Sequence, residues 1–147
     1  METADWRRID VDQYDHELQW EHVSLHTTTS YTTAEMEQLG AQLSQGFTAI
    51  LPQVVAMTPW GQQGAVRDTY AKVAFALLTG VRIGEIKSTV AALSAENAQW
   101  VVSACYGLMA QEWALDKAGV LLVWIEESIA RFGEGLVVRH LSGEAIV

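Results

Sequence analysis

From residue 32 onward, apolar positions recur at helical spacing; before it they do not. Val66, Tyr70, Val73, Ala74 and Leu77 fall at i, i+4, i+7, i+8 and i+11, a core-facing stripe that predicts a helix over 63–79, stopped by Gly80. Ile83, Ile86, Val90 and Leu93 mark one face of the next helix. Ser94 is placed to cap another, in which Trp100, Ala104 and Leu108 run beside Val101, Cys105 and Met109. Leu121, Ile125 and Ile129 form one line within 116–132, with Trp124 next to that line and expected to be buried. Two helices precede these. Thr32-Thr33-Ala34-Glu35 has capping-box spacing and opens a helix to about Ser44, stopped by Gly46. Thr48 is expected to cap the second, with Pro52 in its first turn or just beyond, and Pro59 ending it. Gly133 and Gly135 break the chain before a short seventh helix, Leu136 to Leu141. Short links make successive helices antiparallel neighbours. The expected fold is all-α: about seven helices in an αα-superhelix-like bundle, with no repeat of fixed period.

Residues 1–31 read differently and divide the chain into an extended acidic arm with its linker, and a helical domain over 32–147. Ile9-Asp10-Val11-Asp12 alternates apolar and acidic, the pattern of extended chain. His26-Thr27-Thr28-Thr29-Ser30 is polar, β-branched and poor at forming helix. Trp6, Ile9, Val11 and Tyr14 put large apolar groups on this tether. Such residues are the usual anchors of an extended peptide on a partner. The arm folding back on its own helices accounts for them equally well.

Charge sharpens the division. The chain of 147 residues has a net charge of −9 and a pI near 4.7, which argues against a phosphate-backbone partner. Residues 1–37 hold nine acids and two bases, whereas 38–147 hold nine acids and seven bases. Two stretches, Gln38 to Val66 and Asn97 to Gln111, contain no Asp, Glu, Lys or Arg. Neutral helix faces tend to be covered, which points to other subunits; a neutral, glutamine-rich surface is the other explanation. The single cysteine excludes an internal disulfide and suits a reducing compartment. The N-terminus lacks a basic segment followed by an apolar run, so no signal peptide is expected. No run of about 20 apolar residues is present, and a soluble protein is expected.

The candidate chemistry does not converge. His22 and His26 are four apart, but they lie in the polar arm without cysteine or well-placed acids, and a solvated segment explains them better than a metal site. His140 reads as a surface or interface histidine, and Cys105, on an apolar face, as a small buried hydrophobe. Glu126 and Glu127 are adjacent and so point about 100° apart on a helix, which prevents an acid–base pair. Gly133-Glu134-Gly135 follows a helix and lacks a downstream lysine, so it is a turn and not a phosphate loop. No cofactor, metal or nucleotide is expected, and the function class is protein binding, not catalysis.

Two segments at opposite ends resemble one family. Trp6-Arg7-Arg8-Ile9-Asp10-Val11-Asp12-Gln13-Tyr14-Asp15 is similar to the N-terminal signature of the 16 kDa subunit (subunit 5) of the actin-related protein 2/3 complex. Val120-Leu121-Leu122-Val123-Trp124-Ile125-Glu126 and Gly133-Glu134-Gly135-Leu136-Val137-Val138-Arg139-His140-Leu141 resemble its C-terminal end. Residues 16–31 and Pro52 depart from it, as in a divergent member. The resemblance implies a non-catalytic structural subunit in the cytoplasm, at the actin cytoskeleton, supporting nucleation of branched filaments. It implies a body docked on the propeller and 20 kDa subunits, and an arm tethering actin-related protein 2. Trp6, Arg7, Ile9, Val11 and Tyr14 would be tether contacts, and Arg139 would pack or bind within the body. The competing class is a free-standing helical adaptor that uses the same arm on another protein.

Overall fold

The computed structural model describes residues 29–143, 146 and 147. Among them are seven α-helices and no strand. These are α1 (Thr33–Ala41), α2 (Phe47–Ala56), α3 (Ala65–Thr79), α4 (Ile83–Ala91), α5 (Ala95–Met109), α6 (Ala118–Phe132) and α7 (Gly135–Ser142). Two 3-10 turns, Gln42–Gln45 and Glu112–Lys117, precede α2 and α6. The all-α expectation therefore holds. The arm through residue 28 lies outside the described residues, and with it the alternating segment, His22 and His26.

The first helix begins as its sequence dictates. The Glu35 backbone N–H donates to the Thr32 hydroxyl at 3.4 Å, and the Thr32 N–H donates to the Glu35 carboxylate at 2.7 Å. That second bond, with a hydrogen bond from the Thr32 hydroxyl, holds the Glu35 carboxyl below the usual carboxylate range. Because the folded value is the lower one, the carboxylate's contribution is complete above its ordinary pKa of 4.5 and fades as pH falls below it. Replacing Thr32 by alanine at neutral pH should lower stability by about 1 kcal/mol, measured by urea unfolding.

The start of α2 departs from expectation. Gly46 has φ +97°, in the left-handed region that glycine tolerates, and it turns the chain directly into Phe47. Thr48 therefore lies inside α2 and caps nothing; no side chain caps this helix. Pro52 lies inside the helix, just beyond its first turn. Its missing N–H leaves the Thr48 carbonyl without its usual donor, and both residues are exposed, so water can serve. The helix ends three residues before Pro59. It stops at Ala56, where the Thr58 hydroxyl and N–H both donate to the Val55 carbonyl, at 2.7 and 3.3 Å.

Helix α5 is the centre of the body. It packs against α2, α3, α6 and α7, while α4 packs on α6 and α1 on α3. Ala98, Trp100, Val101, Val102, Ser103, Ala104, Cys105 and Leu108 are all buried, so α5 is covered on nearly every side. This explains the charge-poor stretch from Asn97: the chain covers it with its own helices. The stripe on α3 is buried at Tyr70, Val73, Ala74 and Leu77, with Val66 partly covered. On α4, Ile86 and Val90 are buried, but Ile83 is 58% exposed, because it begins the helix beyond the reach of α6. The sixth helix starts at Ala118, later than expected, since Glu112–Lys117 winds as a 3-10 turn. Leu121, Trp124 and Ile125 are buried as predicted.

After α7 the chain returns to α5. Ile146 and Val147 are buried, and Arg67 donates to the Val147 carbonyl oxygen at 3.0 Å. A Cβ at position 107 would sit 2.9 Å from that oxygen, so glycine there permits the close approach.

Candidate functional site

Inside the body a group of polar side chains gathers around Tyr70. The Tyr70 hydroxyl donates to the Val54 carbonyl at 2.8 Å, accepts from the Trp100 indole at 3.0 Å and lies 2.9 Å from the Thr58 hydroxyl. Val54 is in the last turn of α2, where carbonyls lack intrahelical donors, so Tyr70 completes a helix end. Burial raises the Tyr70 phenol well above its ordinary value, against the lowering effect of its hydrogen bonds to Thr58 and Trp100. The network is structural. Tyr70→Phe leaves the Val54 carbonyl and the Trp100 indole without partners and should cost about 2–4 kcal/mol, read from the urea midpoint. Cys105 is fully buried, and burial alone pushes its thiol far up, which makes it a poor nucleophile.

The remaining chemical candidates are dispersed. Glu126 is exposed on α6 and the adjacent Glu127 is half-buried. His140 stacks on Tyr106, with ring centroids 4.9 Å apart and planes at 11°, and burial lowers its pKa. Among the described residues no three His, Cys, Asp or Glu side chains gather where a metal would bind. Nor, among them, is any helix long and apolar enough to cross a membrane.

The outward features suit contact with protein. Trp113, Leu115 and Leu122 are 44%, 54% and 54% exposed, and Val138 and Leu141 project from α7 at 64% and 78%. None of these lies in the two charge-poor stretches, whose exposed residues in 38–66 are mainly Gln, Thr, Ala, Gly and Pro. Trp113 meets Phe75 edge-on at 5.2 Å, which fixes its ring at the surface.

Arg139, the one proposed contact residue among the described residues, is exposed on α7 and lines a cleft of about 370 Å³. The α5 wall carries Glu96, Gln99 and Trp100; Val55 and Trp60 close another side, and Ile146 lies across from them. Gln99 donates to the Ser103 hydroxyl at 3.2 Å and to the Leu136 carbonyl at 3.1 Å, which ties α5 to α7. Its Oε1 is buried without a partner. Helical spacing placed Trp100 but gave no hint of Gln99 or Trp60 as walls. Trp60 had one available signal, an aromatic residue next to a proline in a helix break. Trp6, Arg7, Ile9, Val11 and Tyr14 lie outside the described residues.

Comparison with known proteins agrees with this picture. The family described as ARP2/3 complex 16 kDa subunit (p16-Arc) matches residues 5–147, a span that takes in both the N-terminal segment and the helical body. The Actin-related protein 2/3 complex subunit 5 of Saccharomyces cerevisiae is 28% identical over 152 aligned residues, covering 98% of this chain and 99% of that protein. With a helical body, a family match spanning residues 5–147, and a relative of low identity aligned over 98% of the chain, the chain belongs to the family of 16 kDa subunits of the actin-related protein 2/3 complex, as a divergent member.

Proposed function

We propose that this chain is a non-catalytic structural subunit of an actin-related protein 2/3 complex and supports the nucleation of branched actin filaments in the cytoplasm. The observation that carries this reading is the family match over residues 5–147. The body supplies helical docking faces, with outward apolar side chains and Arg139, for the propeller and 20 kDa subunits. The arm, through Trp6, Arg7, Ile9, Val11 and Tyr14, tethers actin-related protein 2.

The test is to tag the chain, isolate what it holds and determine the composition by native mass spectrometry. The expected result is a stoichiometric assembly containing two actin-related proteins and a propeller subunit. Recovery of a single unrelated partner would replace this reading with the free-standing adaptor.

A further inference from the structure

Just ahead of α1 the chain is held in a clasp. Tyr31, one residue before the cap at Thr32, is gripped by the link between α2 and α3. The Tyr31 N–H donates to the Gln62 Oε1 at 2.9 Å, and the Gln62 Nε2 donates back to the Tyr31 carbonyl at 3.1 Å. One side-chain amide thus pairs with both backbone groups of one residue, as a residue of a neighbouring strand would. The same Nε2 reaches the Ser30 hydroxyl at 3.5 Å, and the Tyr31 hydroxyl donates to the Ala56 carbonyl, the last of α2, at 3.3 Å. Gln62 is itself fixed to the core. Its N–H closes a turn onto the Pro59 carbonyl at 3.2 Å, with Gly61 at φ +70° in the third position. Thr58 and Pro59 are buried, and the Thr58 hydroxyl lies 2.9 Å from the Tyr70 hydroxyl. Helix α1 does not require this clasp, because its capping box begins at Thr32. Ordering residues ahead of a helix costs conformational entropy, so the clasp points to a use for the segment that precedes it.

We infer that Gln62 is a positioning residue for the N-terminal arm: its amide fixes the origin and heading of the chain at Ser30 and Tyr31, from which the arm sets out toward actin-related protein 2. This rests on the reading of the arm as a tether and adds the residue of the body that sets where the tether starts. A tether acts through effective concentration, which depends on where it is anchored and how much chain is free to move. With the clasp closed, Ser30 and Tyr31 are already ordered when the arm meets its partner. With it open, the chain pivots at the Thr32 cap, and both residues must be ordered in the binding step.

The experiment reconstitutes the complex with each full-length chain and counts, by native mass spectrometry over a dilution series, the fraction that keeps actin-related protein 2. Gln62→Ala should weaken that hold by about three- to tenfold while the propeller subunit stays bound. Gln62→Glu, which keeps the acceptor for the Tyr31 N–H and loses the donor, should fall between, as should Tyr31→Phe, which loses only the bond to Ala56. Spin labels at the exposed positions 29 and 88 report the heading directly. Their separation should be narrowly distributed in the otherwise wild-type chain and broad with Gln62→Ala. A broad distribution without that substitution would mean that the clasp does not hold, and the inference would fall. So would it if Gln62→Ala broadened the distribution yet kept actin-related protein 2 as firmly as wild type, or lost the propeller subunit together with it; the clasp would then serve the body alone. If Trp6→Ala with Tyr14→Ala leaves the hold on actin-related protein 2 unchanged, the tether reading itself fails and the positioning role with it, whereas wild type failing to join the propeller subunit would remove the membership reading.

Discussion

Trp124→Ala should lower the unfolding free energy by about 3–5 kcal/mol, the range for removing a fully buried large aromatic. Trp124 has no exposed surface, and its ring stacks on Phe47 with centroids 4.9 Å apart and planes at 24°. Its indole N–H donates to the Leu78 carbonyl at 2.9 Å. Leu78 is next to last in α3, where carbonyls lack intrahelical donors. The alanine variant therefore opens a cavity between α2, α3 and α6 and strands one buried acceptor. Trp124→Phe separates the two effects: it keeps most of the packing and loses only the bond, so it should cost less than half as much. Urea unfolding followed by circular dichroism reads both. A melting point for Trp124→Ala within a degree or two of wild type would mean that α6 does not pack as described.

In the assembled complex, Trp6→Ala combined with Tyr14→Ala should release actin-related protein 2 and reduce filament branching, while the propeller subunit stays bound. On an extended chain Trp6, Ile9 and Tyr14 are far enough apart to fill separate pockets, and burying each contributes on the order of 1.5–3 kcal/mol. Exposed ion pairs contribute only about 0–1 kcal/mol each, so charge reversal at Arg7 and Arg8 should do less. Native mass spectrometry reports subunit content, and microscopy reports branches. Undiminished retention of actin-related protein 2 by the double variant would remove the tether assignment. Deleting residues 1–28 should leave the body's cooperative melting intact; an unfolded body would show instead that the arm packs on its own helices.

Much of the helical plan was legible in the residues alone. The capping box at Thr32 and Glu35, the Ser94 cap accepting from the Asn97 N–H, and the stripes on α3 and α6 are local features whose physics acts within a turn or two. The burial of Trp124 and Cys105 also followed from their place on an apolar face. Local signals misled where two devices competed. Thr48 is a competent cap, but Gly46 at positive φ started the helix first. Ile83 has the right spacing, yet a residue at the first turn of α4 has no neighbour above it to bury against.

The sequence by itself determined the helical class, most helix boundaries, the separation of an acidic N-terminal segment from a nearly neutral body, and, through two motifs at opposite ends, the family. The tertiary structure alone decided which helix is central, because the absence of charge in Asn97–Gln111 is the same whether a partner or the chain itself covers it. It alone paired Tyr70 with the end of α2 and Trp124 with the end of α3, contacts 16 and 46 residues apart in sequence. It alone brought Trp60, Gln99 and Arg139 to one cleft. Periodicity states which side of a helix turns inward; which helices then meet depends on the packing of all of them at once, and no local pattern encodes it.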